Sequence, residues 1–492
     1  MTFRNKTRID ITRQLNTFDV TSLVVGSIIG ADIYVAAALG AKLVGPASLL
    51  LWVGAGLIAI VIALSFSYCA TILPKVGGPY AYIKDVAGPF SGFIVGWSLF
   101  LAEWFSLAVF PVAFTKYFLY FFPGLGPQYQ ILLKAIFIGI ILVTNITSIK
   151  LAGKFNDFLT IGKLSPLILL MIAGLLFIVL KPQVAVHNFH PFIKGNIFDF
   201  GKALVLIFWA YAGFELSTLP ADEIQEPQKT IPRAILIGML IVIIFYLITN
   251  FIITGIVDGH LLASSSTPLM DAVKRIFSFS RIFGVIGILI IGVGAFVSIM
   301  GADESGTIGT SRLAYAMSFD GLLPRAFSRL HKTFQTPYIG VILICTSAFI
   351  ASIFGSLSSL INASVFLLSF AYLATCIATI FLVRKYPQIS GKIKGKLIVP
   401  IFGAVFSVLL MTQVTGQQIL VSFILIGIGI PIYIFFSPKH ELHELKEAFL
   451  SREIILKRAY QQGERFLAYP VRRVKWLIYR VKKINKAWHI IE

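Results

Sequence analysis

Charge is scarce in this chain of 492 residues: Asp, Glu, Lys and Arg together make up 13% of it, against about 25% in a soluble domain. Hydrophobic residues make up 57%, and the mean hydropathy is +0.87. That balance excludes a soluble globular fold, because no water-facing surface could be built around so large an apolar share, and the solvent it implies is lipid. Cysteine is nearly absent. Cys69, Cys345 and Cys376 all fall inside apolar runs, which makes them packing residues rather than disulfides or metal ligands. Histidine is also sparse. His187, His190, His260 and His331 fall in polar connections, and His440, His443 and His489 fall near the C-terminus. His440-Glu441-Leu442-His443 has the wrong spacing for the zinc pair HExxH. The sequence carries no nucleophile elbow, phosphate-binding loop or cysteine cluster. No metal, cofactor or catalytic residue is assigned, and an enzyme is not expected.

What the chain does have is apolar runs of about the 20 residues that a spanning helix needs. They are continuous rather than alternating, so they read as helices and not as barrel strands. Twelve spans are expected, roughly 18–43, 46–72, 90–121, 127–148, 155–180, 200–220, 232–257, 283–310, 338–355, 358–383, 397–414 and 416–437. The first run starts near Val20, is long and lacks a small-residue cleavage site, so no cleavable signal peptide is expected.

The formal net charge of +20 would suggest nucleic acid on a soluble protein. Here the basic residues gather in one set of loops, which is the positive-inside pattern, and nucleic acid is not an expected partner. Arg4, Lys6, Arg8 and Arg13 precede the first span. Lys75, Lys84, Lys150, Lys154, Lys229, Arg233, Arg325, Arg329, Lys332, Arg384, Lys385, Lys392, Lys394 and Lys396 occupy the connections on the same side. The two longest opposite loops hold Lys181, Lys194, Lys274, Arg275 and Arg281. Both termini are expected to be cytoplasmic, in a multi-pass protein of the cell membrane.

Two spans are interrupted. The first contains Gly26-Ser27-Ile28-Ile29-Gly30-Ala31-Asp32, and the sixth contains Trp209-Ala210-Tyr211-Ala212-Gly213-Phe214-Glu215. Glycine, serine and an acid weaken a helix there, and the backbone groups they free need partners. The breaks correspond if spans one to five and six to ten are repeats running in opposite directions. Such paired breaks point to a transporter's binding site. The alternative is that these are packing glycines, which are common in membrane helices.

These residues resemble the amino acid–polyamine–organocation transporters. Gly26–Tyr34, GSIIGADIY, is similar to that family's first-helix pattern GSIIGSGIF. Lys75–Pro89, KVGGPYAYIKDVAGP, resembles its loop between the second and third spans. Phe208–Glu215, FWAYAGFE, with Ile224–Ile235, IQEPQKTIPRAI, resembles its sixth span and the loop that follows. Ser311–Pro324, SRLAYAMSFDGLLP, resembles the end of its eighth span. The matches run in order over roughly residues 15–340. The resemblance implies an all-α membrane protein with the LeuT-type fold of five plus five inverted repeats and two further helices. It divides the chain into an N-terminal segment 1–17, repeats 18–180 and 200–383, spans 397–437 and a tail 438–492. It also implies a secondary transporter of an amino acid, amine or polyamine, working by alternating access. An exchanger of the same family is an alternative. A transporter-like nutrient sensor and an intramembrane enzyme are more distant ones.

The expected substrate site is built from the two breaks: Gly26, Ile29, Gly30, Ala31 and Asp32 with Phe208, Trp209, Ala210, Tyr211 and Gly213. The amides at Gly30, Ala31 and Asp32 sit at a half-helix N-terminus, which attracts carboxylates. Carbonyls near Phe208 to Tyr211 suit an ammonium group. The resemblance places Trp209 as an aromatic gate over the cargo, where the alternative is a packing or lipid-facing ring. Asp32 departs from the family pattern, which has glycine there. Three roles compete for it: binding a cargo amine, carrying the transported proton, or pairing with Lys163. In proton-coupled members of the family a lysine at the place of Lys163 reaches the first-helix break and stands where sodium-coupled relatives hold a sodium ion. A buried lysine also exchanges its proton readily; the alternative is a side chain that snorkels to the surface. The expected proton-coupling set is Lys163, Asp32 and Glu215, driven by protons and independent of sodium. Glu103, Asp303 and Glu304 complete the acids in the apolar layers, where such groups usually mark a cargo or ion path.

From Pro470 the tail reads PVRRVKWLIYRVKKINKAW. Apolar residues at helical spacing alternate with Arg and Lys, which suits an interfacial helix on anionic lipid. A solvated tail packed on the protein's own loops fits equally well.

Overall fold

The structure is a computed structural model and describes residues 15–147, 152–219, 221, 224–391, 393 and 395–438, with the side chains of Pro127 and residues 152–159 left aside. Arg4, Lys6, Arg8, Arg13, Lys150, Lys392, Lys394, the Lys154 side chain and the basic tail therefore lie outside the described residues.

Seventeen α-helices follow in chain order among the described residues. They are α1 Thr17–Ile28, α2 Ala31–Val44, α3 Ser48–Ile72, α4 Pro79–Phe121, α5 Pro127–Thr147, α6 Ala152–Leu180, α7 Pro182–Asn188, α8 Ile197–Phe208, α9 Pro227–Ile256, α10 Gly259–Ser264, α11 Pro268–Ile276, α12 Arg281–Phe319, α13 Tyr338–Phe354, α14 Leu357–Lys385, α15 Pro387–Ser390, α16 Ile398–Thr412 and α17 Gly416–Phe436. Nine helical stretches among the described residues are long and apolar enough to cross a membrane, one of them running from α2 into α3 through a 3-10 turn at Gly45–Ala47. α1, α13 and α16 are apolar but shorter.

The two interrupted spans begin alike. Asn16 accepts hydrogen bonds from the Phe18 and Asp19 amides at 2.7 and 3.3 Å, and Asp19 accepts from the Asn16 amide at 2.8 Å. Asn196 and Asp199 repeat this reciprocal cap at the start of α8, with bonds of 2.9, 3.1 and 3.0 Å. Such a box satisfies helix-terminal donors that would otherwise lack partners. Each capped helix then runs 12 residues before its break.

α4 and α14 pack along each other in the interior, and α12 lies against α4, α6 and α13. Exposed apolar side chains cover the periphery. Ile172, Leu176 and Val179 of α6 are 62, 57 and 75% exposed, and Phe402 and Val405 of α16 are 53 and 58% exposed. Patches of that kind need an apolar surround, and a bilayer supplies one.

Several expected boundaries move. α12 extends to Phe319, nine residues beyond the expected end. At about 1.5 Å per residue its 39 residues reach far beyond the roughly 30 Å of hydrocarbon. The third span starts earlier, at Pro79, and bends at Gly88. α7, α10 and α11 form where plain loops were expected. The three cysteines are buried and free.

Candidate functional site

The first break is where α12 comes closest. α1 ends at Ile28, Ile29 is extended, and α2 begins at Ala31. A Cβ on Gly30 would lie 2.5 Å from the Ala302 Cβ, so glycine is what lets the two backbones approach. Carbonyls freed by the unwinding lie against polar side chains of three neighbouring helices, as an apolar interior favours. The Lys163 ammonium of α6 donates to Gly26 O. The Tyr246 hydroxyl of α9 lies 3.2 Å from Ile28 O, and the Ser298 hydroxyl of α12 donates to Ile29 O at 3.2 Å. Lys163 is 1% exposed, which rules out snorkelling in this conformation.

Asp32 turns back on its own helix. Its Oδ1 accepts the Gly30 amide at 2.6 Å, and its Oδ2 is bonded to the Tyr246 hydroxyl. The Gly30 amide, expected to be open for a cargo carboxylate, is therefore already taken. Asp32 and Lys163 also keep separate partners, and among the described residues no ion pair joins them. Of the three roles open to Asp32, a direct ion pair with Lys163 is the one this conformation does not form.

At the second break α8 passes into 3-10 turns at Trp209–Tyr211 and Phe214–Thr218, with Gly213 between them at φ +120°. A side chain there would be strained by that φ and would also meet Ser27 O at 3.0 Å. Ser27 Oγ donates to Gly213 O at 3.0 Å, which ties the two breaks together. Glu215 is fully buried and accepts the Gly213 amide at 3.0 Å. The Trp209 carbonyl accepts the Ala212 amide at 3.1 Å, which uses one of its two lone pairs. The Trp209 ring is 4% exposed, its indole N–H donates to Ser106 Oγ at 3.0 Å, and it lies 6.3 Å from the Phe110 ring.

A cavity of about 20 Å³ sits between the breaks. That is room for about one ordered water and too little for an amino acid, so this conformation excludes cargo and the walls must part to admit it. Of the expected substrate residues, Asp32, Trp209 and Gly213 line it. The others do not. Gly26 faces Lys163, Phe208 faces Tyr372, and the Tyr211 hydroxyl donates to Trp52 O at 2.9 Å. Ile29, Gly30, Ala31 and Ala210 contribute backbone rather than wall. Glu103 is part of the lining, and its carboxyl adjoins that of Glu215. Asp303 is 1% exposed and is not part of the lining, while Glu304 is partly exposed.

Sequence reasoning missed Ser106, Phe110 and Tyr246. The first two carry a legible signal: Glu103, Ser106 and Phe110 recur at i, i+3 and i+7, one face of a helix. Tyr246 carries none, since it is one aromatic in an unbroken apolar run.

The face that holds the α1 N-terminus is tied shut by the motif residues. Lys84 pairs with Asp320 at 2.7 Å, and the Tyr80 hydroxyl bonds the same carboxylate at 2.5 Å. Asp85 takes Lys385 at 2.8 Å and Lys75 at 3.5 Å. Leu15 bridges Ile224, and the Gln225 amide donates to Leu15 O at 2.9 Å.

Two broken helices tied across a small cavity inside an apolar helical shell are the arrangement of a membrane carrier. The chain belongs to the amino acid permease family, whose model matches residues 15–436. It is thus a multi-pass membrane transporter for a small molecule. It is 28% identical to the branched-chain amino acid permease BcaP of Bacillus subtilis (strain 168), over 87% of this chain and 94% of that one. It is 28% identical to the methylthioribose transporter of the same organism, over 88 and 95%, and 29% identical to the human cystine/glutamate transporter, over 87 and 86%. Its fold is shared with the crystal structure of MhsT in complex with L-phenylalanine, a LeuT-type transporter, at TM-score 0.61 and 14% identity, covering 84% of this chain and 99% of that one.

Proposed function

We propose that the protein is a proton-coupled, sodium-independent carrier of an amino acid or related amine, built as twelve spans with two inverted five-span repeats. The observation that carries this reading is the pair of breaks joined by Ser27 and Gly213, with the Lys163 ammonium buried on the first of them. A tethered cation there does for the unwound carbonyls what a bound metal cation does elsewhere. The matching caps at Asn16 and Asn196 support the repeat. The names of BcaP and of the cystine/glutamate transporter support an amino acid cargo. Glu103 and Glu215 support proton traffic, because two adjoining buried carboxyls do not both stay ionised. Trp209, held by Ser106 over the cavity, serves as the gate.

Purified protein in proteoliposomes should accumulate labelled neutral amino acids, basic amino acids or polyamines under an inward proton gradient without sodium. A protonophore should abolish the accumulation. Uptake that requires cargo preloaded inside would make the protein an exchanger instead.

The basic loops support a plasma-membrane protein with both termini in the cytoplasm, and the basic tail supports contact with anionic lipid. Cysteines introduced in segments 1–17 and 438–492 should resist impermeant thiol reagents in intact cells and react once the membrane is opened. Labelling of either from outside would overturn this topology.

A further inference from the structure

Asp303 stands apart from everything described above. It lies past the middle of α12 and is 1% exposed, yet neither carboxyl oxygen has a hydrogen-bond partner among the described residues. Buried polar groups nearly always find partners. A carboxyl kept for structure would use its proton or its oxygens in a bond, and this one uses neither. An ionised carboxylate cannot be housed there alone, so its charge must be cancelled by something small enough to leave no gap.

The surroundings narrow the choice. Its neighbour Glu304 on α12 acts on Asp303, and the Asp303 charge in turn reaches the Cys345 thiol of α13, a group that carries no positive charge. The other charged groups are engaged elsewhere. Glu103 adjoins Glu215, Asp32 holds Gly30 and Tyr246, and Lys163 holds Gly26. Lys134 of α5 donates to Ser352 O at 2.5 Å, Asp271 of α11 takes Ser265 at 2.5 Å, and Lys116 lies at the end of α4 where Tyr117 and Tyr120 meet Asp271. Among the described residues no cationic side chain bonds to Asp303, and no group of three or more His, Cys, Asp or Glu side chains is placed to hold a metal ion.

Position links the group to transport. The preceding residue, Ala302, touches Gly30 at the first break, and Ser298, five residues earlier, holds Ile29 O. Movement of that break against α12 would therefore change what surrounds Asp303. Glu304, partly exposed beside it, offers an outlet to water.

We infer that Asp303 is a proton-binding site of the carrier, separate from the two breaks, loaded in this conformation and released when α12 and the first break part. This rests on the transporter reading but not on Lys163 being the coupling residue. Infrared difference spectroscopy on the purified protein reads the proton directly, without any transport. The C=O stretching band of a protonated carboxylic acid is expected in the unmodified protein, with one component lost in Asp303→Asn and retained, displaced, in Asp303→Glu. In proteoliposomes, uptake by Asp303→Asn should lose one component of the pH dependence of the unmodified carrier, a change of up to about tenfold per pH unit for one titrating group. The replacement is neutral and of equal size, and Asp303→Glu should restore the pH dependence. An unchanged band and pH profile in Asp303→Asn would overturn the inference. Sodium-stimulated uptake that this variant abolishes would also overturn it, by making the carboxyl a sodium ligand. Loss of proton-driven uptake in Lys163→Ala with the Asp303 band intact would separate this site from the coupling lysine.

Discussion

Lys163→Ala should yield a folded, membrane-inserted protein that no longer accumulates cargo against its gradient. In the conformation described, the Lys163 ammonium donates to Gly26 O, the last carbonyls of α1 being those that the break at Ile29–Gly30 leaves without helical partners. Removing the side chain strands that carbonyl and removes the cation next to Asp32. A hydrogen bond involving a charged group contributes about 1.5–3 kcal/mol. That is enough to shift the balance between this conformation and one that admits cargo roughly 10- to 150-fold. It is small beside the packing of the whole helical bundle, so the protein should still elute as a single species. Downhill exchange should survive in part, because the cavity wall formed by Trp209, Phe110 and Gly213 is untouched. Lys163→Gln separates the two contributions. It retains a donor for Gly26 O but no exchangeable charge, and so should keep the conformation while losing the coupling. Proton-driven accumulation by either variant at the unmodified rate would sink the assignment, as would sodium-dependent uptake by the unmodified protein.

How much of this was legible beforehand differs by element. The breaks were visible because glycine, serine and acids interrupt otherwise apolar runs, and both fall where expected, at Ile29–Gly30 and Ala212–Gly213. Which residues near a break form the cavity wall was not legible. Wall or backbone is decided by the direction of each side chain in a non-helical segment, where no period applies. Tyr211 and Phe208 therefore turned out to pack on Trp52 and Tyr372. α7, α10 and α11 are six to nine residues long, too short for a helical period to show. The twin caps Asn16-x-x-Asp19 and Asn196-x-x-Asp199 were readable as capping boxes. They precede the apolar cores of their spans, so a reading that starts from hydropathy passes over them. The end of α12 was misplaced because Arg312 and the polar residues around it look like a loop by hydropathy, although nothing in them breaks a helix.

Replacing Asp32 should change what the carrier prefers. The carboxyl lines the cavity between the breaks. Its Oδ1 holds the Gly30 amide at 2.6 Å and its Oδ2 the Tyr246 hydroxyl. A carboxylate has about four acceptor sites, and the Ile33 amide uses a third, so one remains for a cargo ammonium. The amide that a cargo carboxylate would seek is occupied, and the same carboxylate would meet the Asp32 charge. Both effects favour an amine, a polyamine or a basic amino acid derivative over a plain zwitterion. Asp32→Gly removes the charge and releases the Gly30 amide, and should shift preference toward zwitterionic amino acids. Asp32→Asn keeps an oxygen for the Gly30 amide and removes only the charge. It should weaken amine binding by about 1.5–3 kcal/mol, read by titration calorimetry as a rise in Kd of roughly 10- to 150-fold. Tyr246→Phe is the control that leaves the charge and removes the Oδ2 partner. It should leave amine binding within a few fold of the unmodified value, because the ammonium then gains an acceptor the hydroxyl had used. If amine affinity is unchanged in both Asp32 variants, the carboxyl does not touch the cargo, and its place in the wall is that of a cap on α2 held by Tyr246.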